Sequence, residues 1–229
     1  IEVRDLVFAA AAGTAVAAAC GLRAFLPLLV LGLGVHFGLV HVAHGGEWIG
    51  TTPALVTLVW ATVLELAADK VPAIDHALDL VATLLRPLAA AAAAGGTFVG
   101  VHPAIAVAAA ILLGTGAMGV HVAKAKIRLG SSMLTLGAAN PLISVVEDAL
   151  AIGLSAMAVL LTDSRELEEV ARTLGASTRQ AFWRVTWPQL WRGTSPAVLA
   201  AFAFLIGQYE TPALLAPSDP TPLPLLIYE

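Results

Sequence analysis

Residues 140–175 read NPLISVVEDALAIGLSAMAVLLTDSRELEEVARTLG. A helical membrane crossing takes about 20 mostly apolar residues, and 140–161 supplies that length, with Glu147 and Asp148 lying inside it. From Asp163 onward the character inverts. Nine of the chain's 28 Asp, Glu, Lys and Arg side chains fall between residues 162 and 196, so that stretch does not lie in hydrocarbon. A lipid-embedded segment thus runs directly into a charged, helix-forming one.

Working outward, composition sets the environment. Hydrophobic residues make up 59% of the 229 positions and charged ones 12%, against roughly 45–50% and about 25% in an ordinary soluble domain. Mean hydropathy is +0.86. The expectation is an all-α polytopic transmembrane bundle of about six to seven spans, carrying a short cytoplasmic helical hairpin. A net charge of −4, from 12 basic and 16 acidic residues, is too small and too mixed for a nucleic-acid footprint. Cys20 is the single cysteine, which rules out an intrachain disulfide and reads as a small core residue. The chain starts at Ile1 rather than Met and stops at Glu229 after LPLLIYE, as a chain cut at both ends would. Apolar runs recur along its length, so none reads as a cleaved leader.

Six spans are expected before residue 162: 5–20, 24–41, 53–69, 78–96, 103–123 and 140–161. The first two, separated by Gly21, Leu22 and Arg23, form either a tight hairpin or one broken element. A seventh apolar run covers Ala197 to Ala216, ahead of a Pro-rich tail with SDPTPLP. Helices in lipid associate through close backbone approach at small residues. Gly34 with Gly38, Gly114 to Gly119, and Ala89 to Ala94 supply such faces.

Ionisable groups inside spans usually face the bundle interior or a polar cavity. Glu65 and Asp69 are four apart on one helical face. Asp75, Asp79 and Arg86 fall near one stripe of a helix beginning after Pro72. Together with Arg23, Glu147 and Asp148 they give a candidate intramembrane polar network: Arg23, Glu65, Asp69, Asp79, Arg86, Glu147 and Asp148. Two readings stand for the 69–76 stretch, an interfacial loop or part of that network. The carboxylates, if they face a cavity, suit proton or cation handling, with Arg23 and Arg86 as counter-charges. His36, His41, His44, His102 and His121 show no i, i+4 pair of the kind a helical metal site uses, so neither a metal nor a cofactor is expected.

The segments GLRAFLPLLVLGL, ELAADKVPAIDHALDLVATLLRPLA, HVAKAKIRL and NPLISVVEDALA resemble, in order, the motifs of an uncharacterised bacterial membrane family, domain of unknown function 4126. The similarity covers about residues 5–160. It implies a small multi-span inner-membrane protein and no known reaction.

The charged segment has its own punctuation. Asp163 with Glu166 has the spacing of a capping box, which predicts a helix opening at the membrane exit. Leu167, Val170, Ala171 and Leu174 recur at helical spacing, and Gly175 suits the left-handed closing turn. Ser177 with Gln180 makes a second capping box, Ala181, Phe182 and Val185 form the next apolar face, and Pro188 is expected to end that second helix. Arg172, Arg179, Arg184 and Arg192 lie outside.

Glu169, Ala171, Gly175, Val185 and Pro188 follow the EAA-loop pattern of ABC-importer permeases, the inner-membrane components of binding-protein-dependent transport. The resemblance runs from about Asp163 to Glu229, including GQYETPALLAP. Val170 at the usual second Ala, Trp187 at a usual Leu and Gln208 at a frequent Glu depart from it. The resemblance implies that this loop docks into a groove on a separate ATP-hydrolysing subunit, helix-in-groove fashion, with Glu169 and the arginines at the rim. The sequence holds no GxxxxGK[ST] phosphate loop, so hydrolysis belongs to a partner.

Two domains are therefore expected: 1–161, a multi-span membrane domain of unknown function, and 162–229, the coupling loop plus one span. Partners would be the bilayer, an ABC ATPase subunit and other membrane chains. Lys and Arg in short loops favour the cytoplasm. Five arginines between 162 and 196, and Lys124, Lys126 and Arg128 before 140, argue that both stretches are inside although one span separates them. Either 140–161 enters and returns, using Asn140, Pro141 and Gly153, or one basic stretch is misplaced. The functional expectation is a non-enzymatic component of a transport system in a bacterial inner membrane. The alternatives are a scaffold with a vestigial permease tail, and a proton- or cation-coupled carrier. A natural fusion and a rearranged reading frame both account for the two resemblances.

Overall fold

The structure, a computed structural model, describes residues 3–43, 45–68, 72–135, 140–195 and 199. It is helical throughout, with no strand among the described residues. The helices are α1 (Val3–Leu22), α2 (Leu26–His36), α3 (Thr52–Ala68), α4 (Pro72–Gly96), α5 (Pro103–Thr135) and α6 (Asn140–Thr173). A seventh, α7, opens as α-helix at Thr178–Ala181, widens to a π turn over Phe182–Thr186 and continues helically through 187–195. Asp69, Lys70, all of the seventh apolar run but Leu199, Gln208 and the C-terminal motifs lie outside the described residues.

The first helix is the axis of the bundle. It packs against α4, α5 and α6, while α2 packs on α3 and α6. The core is built of small side chains, Ala12, Ala15, Val16 and Cys20 of α1 meeting Ala90, Ala93 and Ala94 of α4, Ala117 of α5 and Ala158 of α6. A Cβ on Gly114 would come within 2.7 Å of the Pro87 carbonyl oxygen, and one on Gly21 within 2.6 Å of the Ala117 carbonyl oxygen. Backbones approach this closely because dispersion, not water exclusion, holds helices together in lipid. Gly116 and Gly119 take no part, with nothing within 4 Å of their added Cβ positions.

Large apolar side chains remain exposed in rows: Val56, Val59, Trp60, Val63 and Leu64 on α3, and Ile105, Val107, Ile111, Leu112 and Val122 on α5. A water-facing surface of this kind would aggregate; in a bilayer it is the lipid face. Asp5–Leu22, Pro103–Met133 and Leu142–Thr173 are each long and apolar enough to cross a membrane. The chain is therefore an all-α membrane bundle.

Four expectations change. The span foreseen at 24–41 contracts to the 11 residues of α2, about 16 Å at 1.5 Å per residue, too short to cross alone. Gly38 ends it in the left-handed region at φ 70°, with Leu39 N–H on Gly34 O (2.8 Å) and Gly38 N–H on Val35 O (3.1 Å), the paired closure of a Schellman turn. Gly38 is thus a helix stop and not half of a packing pair.

Second, no break separates a span 140–161 from a helix beginning at Asp163. α6 is one helix of 34 residues, about 51 Å long, and it neither reverses at Gly153 nor restarts at Asp163. A capping signal acts only where the chain before it leaves helical geometry; here Thr162 Oγ1 bonds Ala158 O at 3.0 Å, and Leu161 and Ser164 are both buried, so packing carries the helix through.

Third, α5 extends past residue 123 to Thr135, which makes Lys124, Lys126 and Arg128 helical and not a loop. Fourth, Pro188 lies within α7. Trp187 N–H bonds Phe182 O, five residues back, and this widened turn sits immediately before the proline, where a regular helix would suffer the ring's clash and its missing N–H.

Candidate functional site

Charged and polar side chains gather at the break between α1 and α2. Ending one helix and starting another inside a bundle strands carbonyls on one side and N–H groups on the other, which lipid cannot satisfy. Both sets find partners. Lys124 Nζ donates to Leu22 O at 3.1 Å, a cation at the C-terminal end of α1. Ala24 N–H and Phe25 N–H donate to Glu65 Oε1 and Oε2 at 2.7 and 3.1 Å, a carboxylate at the N-terminal end of α2. Each charge also has the sign that the helix dipole favours there.

Arg23 sits in the gap and is wholly buried. Its Nε donates to Asp148 Oδ1 at 2.5 Å and its Nη2 to Ser144 Oγ at 2.8 Å, with Glu147 Oε2 4.0 Å away. Glu147 is the hub of the other cations: Arg128 approaches it through two nitrogens, Nη2 to Oε2 at 2.8 Å and Nε to Oε1 at 3.3 Å, and Lys124 Nζ reaches Oε2 at 3.1 Å. Three cations and three carboxylates thus lie together, drawn from the α1–α2 break, α3, α5 and α6. Such compensation is what buried ions require to persist.

Of the network residues foreseen from sequence, Arg23, Glu65, Glu147 and Asp148 come together here. Arg86 is buried too and donates to the ring of His121, joining α4 to α5 one turn from Lys124, on which its charge acts. The Asp79 backbone lies in α4, and Asp69 is outside the described residues. Lys124, Arg128, Ser144 and His121 were not foreseen as members. Lys124 and Arg128 are four apart on one helical face, the signal that identifies them. The cavity of about 300 Å³ between Leu31, Val42, Trp48, Ile49, Ala92 and Gly96 has no charged side chain in its lining, so it is separate from this cluster.

The second assembly is the hairpin of α6 and α7. Gly175 has φ 94°, Gly175 N–H bonds Arg172 O at 2.9 Å and Ala176 N–H bonds Ala171 O at 3.0 Å, the closure expected of a glycine C′ residue. Ser177 opens α7 with a complete capping box to Gln180. The two arms are latched by two polar pairs: Thr186 Oγ1 donates to Glu168 Oε2 at 3.1 Å, fully buried, and Ser164 Oγ to Gln189 Oε1 at 2.6 Å, partly so. Glu168 and Ser164, four apart on α6, form this inner seam.

Around that seam, Glu169 and Gly175 are exposed, while Ala171, Val185 and Pro188 are half-buried. The apolar stripe of Leu167, Val170 and Leu174 faces outward, with Leu174 83% exposed. The polar cluster and this hairpin occupy opposite ends of the bundle, since the continuous helix from Glu147 to Asp163 rises about 24 Å. The two basic stretches thus lie at opposite ends of α6, and Lys124 and Arg128 are paired with Glu147.

Comparison with known proteins divides the chain along similar lines. Its residues 10–162 match the family model described as a domain of unknown function, 4126, and the chain belongs to that family. Residues 149–228 match the binding-protein-dependent transport system inner membrane component. The two resemblances legible in the motifs both hold, and the matched ranges overlap within α6. A probable sulfate transport system permease protein cysT of Chlorokybus atmophyticus is 39% identical over 74 residues, which take in 31% of this chain and 26% of that protein. The chain thus spans about a quarter of the length of this curated relative. No solved structure matches it. The molecule is a membrane protein with a permease-like C-terminal segment.

Proposed function

We propose that this chain is a membrane component of a transport system, seated in a bacterial inner membrane, whose hairpin 163–192 docks into a groove on a separate cytoplasmic ATP-hydrolysing subunit. The observation that carries this reading is the outward stripe of Leu167, Val170 and Leu174 beside exposed Glu169, on a segment that matches the permease family. An apolar helix face left exposed at the end of a latched hairpin is a ready insert for a groove. The inner seam keeps the two arms together without using any of those side chains. Nucleotide-driven movement of the tip would be delivered along α6, which reaches from the hairpin to the charge cluster.

The translocation path is assigned to other chains, since the permease match starts only at residue 149. The clustered carboxylates are held by cations and by helix N–H groups, which favours a structural clamp over an ion-handling site.

The test is retention of purified ATPase subunits from binding-protein-dependent importers, the sulfate type among them, on the immobilised chain in detergent. Wild type should retain one of them, and Glu169→Lys and Leu174→Asp should reduce retention at least tenfold. Equal retention by wild type and both variants, or none by wild type, overturns the reading.

A further inference from the structure

α7 carries three exposed tryptophans, Trp183, Trp187 and Trp191, whose rings run in sequence along it, with centroids 5.7 Å apart for the first pair and 6.4 Å for the stacked second pair. Their heights follow from the packing of α7 on α6. Thr186 bonds Glu168, Ser164 bonds Gln189, and a Cβ on Gly193 would strike Leu160 Cδ1. These pairs define one antiparallel register, in which Trp191 stands beside Thr162, where the apolar run of α6 gives way to Asp163. Trp187 stands about 6 Å, and Trp183 about 12 Å, farther toward the hairpin tip, at 1.5 Å per residue.

Other elements end at the same level. A Cβ on Gly34 would lie 3.4 Å from Val159 Cγ2, so α2 finishes beside this part of α6 and the next residues bring out Phe37, 70% exposed. A Cβ on Gly32 would lie 2.7 Å from Ile49 O, and one on Gly50 2.7 Å from Val35 Cγ1, which brings exposed Trp48 to nearly the same height. Thr97, in the turn between α4 and α5, bonds Ala9 O of α1 at 3.1 Å. The pairing of Arg23 with Asp148 sets the register of α1 on α6, and it puts Ala9 beside Thr162 as well.

Helix ends, the start of the charged segment and exposed aromatic rings therefore share one plane. Amphipathic aromatic rings collect at the headgroup level of a bilayer, where an apolar body and a polar N–H are both accommodated. The headgroup layer is about 5–8 Å deep on each side of a hydrocarbon core of about 30 Å, which matches the rise from Trp191 to Trp187 and leaves Trp183 beyond it. We propose that Trp191 and Trp187, with Trp48 and Phe37, form an interfacial girdle that binds the headgroup region of the lipid bilayer and fixes how far the hairpin stands out from it.

The test uses the full chain in phosphatidylcholine vesicles, with single-tryptophan versions made by replacing the other tryptophans with Phe. Trp191 and Trp48 should be quenched at least twofold by lipid spin-labelled at the headgroup and little by aqueous iodide, whereas Trp183 should show the reverse. Quenching of Trp191 by iodide but not by labelled lipid overturns the proposal. So does shielding of Trp191 from both quenchers, which would mean a protein contact. W191F in the otherwise intact chain is the check that does not depend on multiple replacements: lipid-dependent quenching must fall relative to wild type, and an unchanged value counts against the girdle.

Discussion

The Arg23 guanidinium donates to Asp148 Oδ1 at 2.5 Å across 125 positions of sequence, tying the break between α1 and α2 to the start of the longest helix. Arg23 is wholly buried, whereas the Asp148 side chain is 28% exposed. Removing one partner of a buried ion pair leaves an uncompensated charge, and replacing both with apolar residues is often close to neutral. Asp148→Ala should therefore cost about 3 kcal/mol, the low end of the range for such disruptions, because that carboxylate is only partly buried. The double variant Arg23→Leu with Asp148→Leu should recover most of the loss. Thermal unfolding in detergent measures both; equal losses in single and double variants would show that the pair is not what holds the break.

The hairpin gives a prediction about backbone alone. Gly175 is left-handed and has nothing within 4 Å of an added Cβ, so any penalty there is conformational and not steric. Gly175→Val should cost about 1–2 kcal/mol, the usual charge for an L-residue in that region, and Gly175→Asn should cost less, since Asn tolerates it. Amide exchange in 170–180 should speed up in that order. Equal exchange in both variants would contradict the closing turn.

Inside the same hairpin, Glu168 and Thr186 are both buried and bonded. Glu168→Ala strands the Thr186 hydroxyl and should cost about 1–3 kcal/mol, while Glu168→Gln, which keeps an acceptor, should cost less. Limited proteolysis between α6 and α7 reads the difference. A tip as protected in Glu168→Ala as in wild type would assign the latch elsewhere.

These residues show where sequence is legible and where it is not. Gly175 and the pair Ser177 and Gln180 could be read directly, because turn and cap chemistry is settled within four or five residues. Glu168 and Thr186 could not, being 18 apart and brought together only where α7 folds back on α6. Arg23, Glu147 and Asp148 stood out as charges within apolar runs. In sequence Lys124 and Arg128 look like a loop, because a cluster of bases between two spans normally is one; only the extension of α5 to Thr135 turns them inward. The continuity of α6 was hidden by the capping spacing of Asp163 and Glu166, a local signal overridden by the burial of Leu161 and Ser164.

Close packing of α4 on α5 separates neighbouring glycines. Gly114 admits the Pro87 carbonyl oxygen at 2.7 Å from an added Cβ, whereas Gly116 has open space. Gly114→Ala forces the helices apart and should cost about 1–3 kcal/mol, as overpacking does. Gly116→Ala should be neutral or gain up to about 1 kcal/mol from helix propensity. The midpoint of detergent unfolding should fall for Gly114→Ala and hold or rise for Gly116→Ala; an equal fall in both would mean that the α4–α5 approach is looser than the geometry requires.

The continuous α6 makes a prediction about sidedness. Met133, 74% exposed near the end of α5, lies toward the charge-cluster end of the bundle, and exposed Ser177 lies at the tip of the hairpin. With Cys20 replaced by Ala, a single cysteine at one of these positions should react with an impermeant maleimide on intact cells and a cysteine at the other only after permeabilisation. The docking reading further requires Ser177 to be the protected one. Labelling of both from the same side would show that α6 does not cross, whatever its length. Labelling of Ser177 alone from outside would keep the crossing but deny a cytoplasmic ATPase its contact, so the two ideas fail separately.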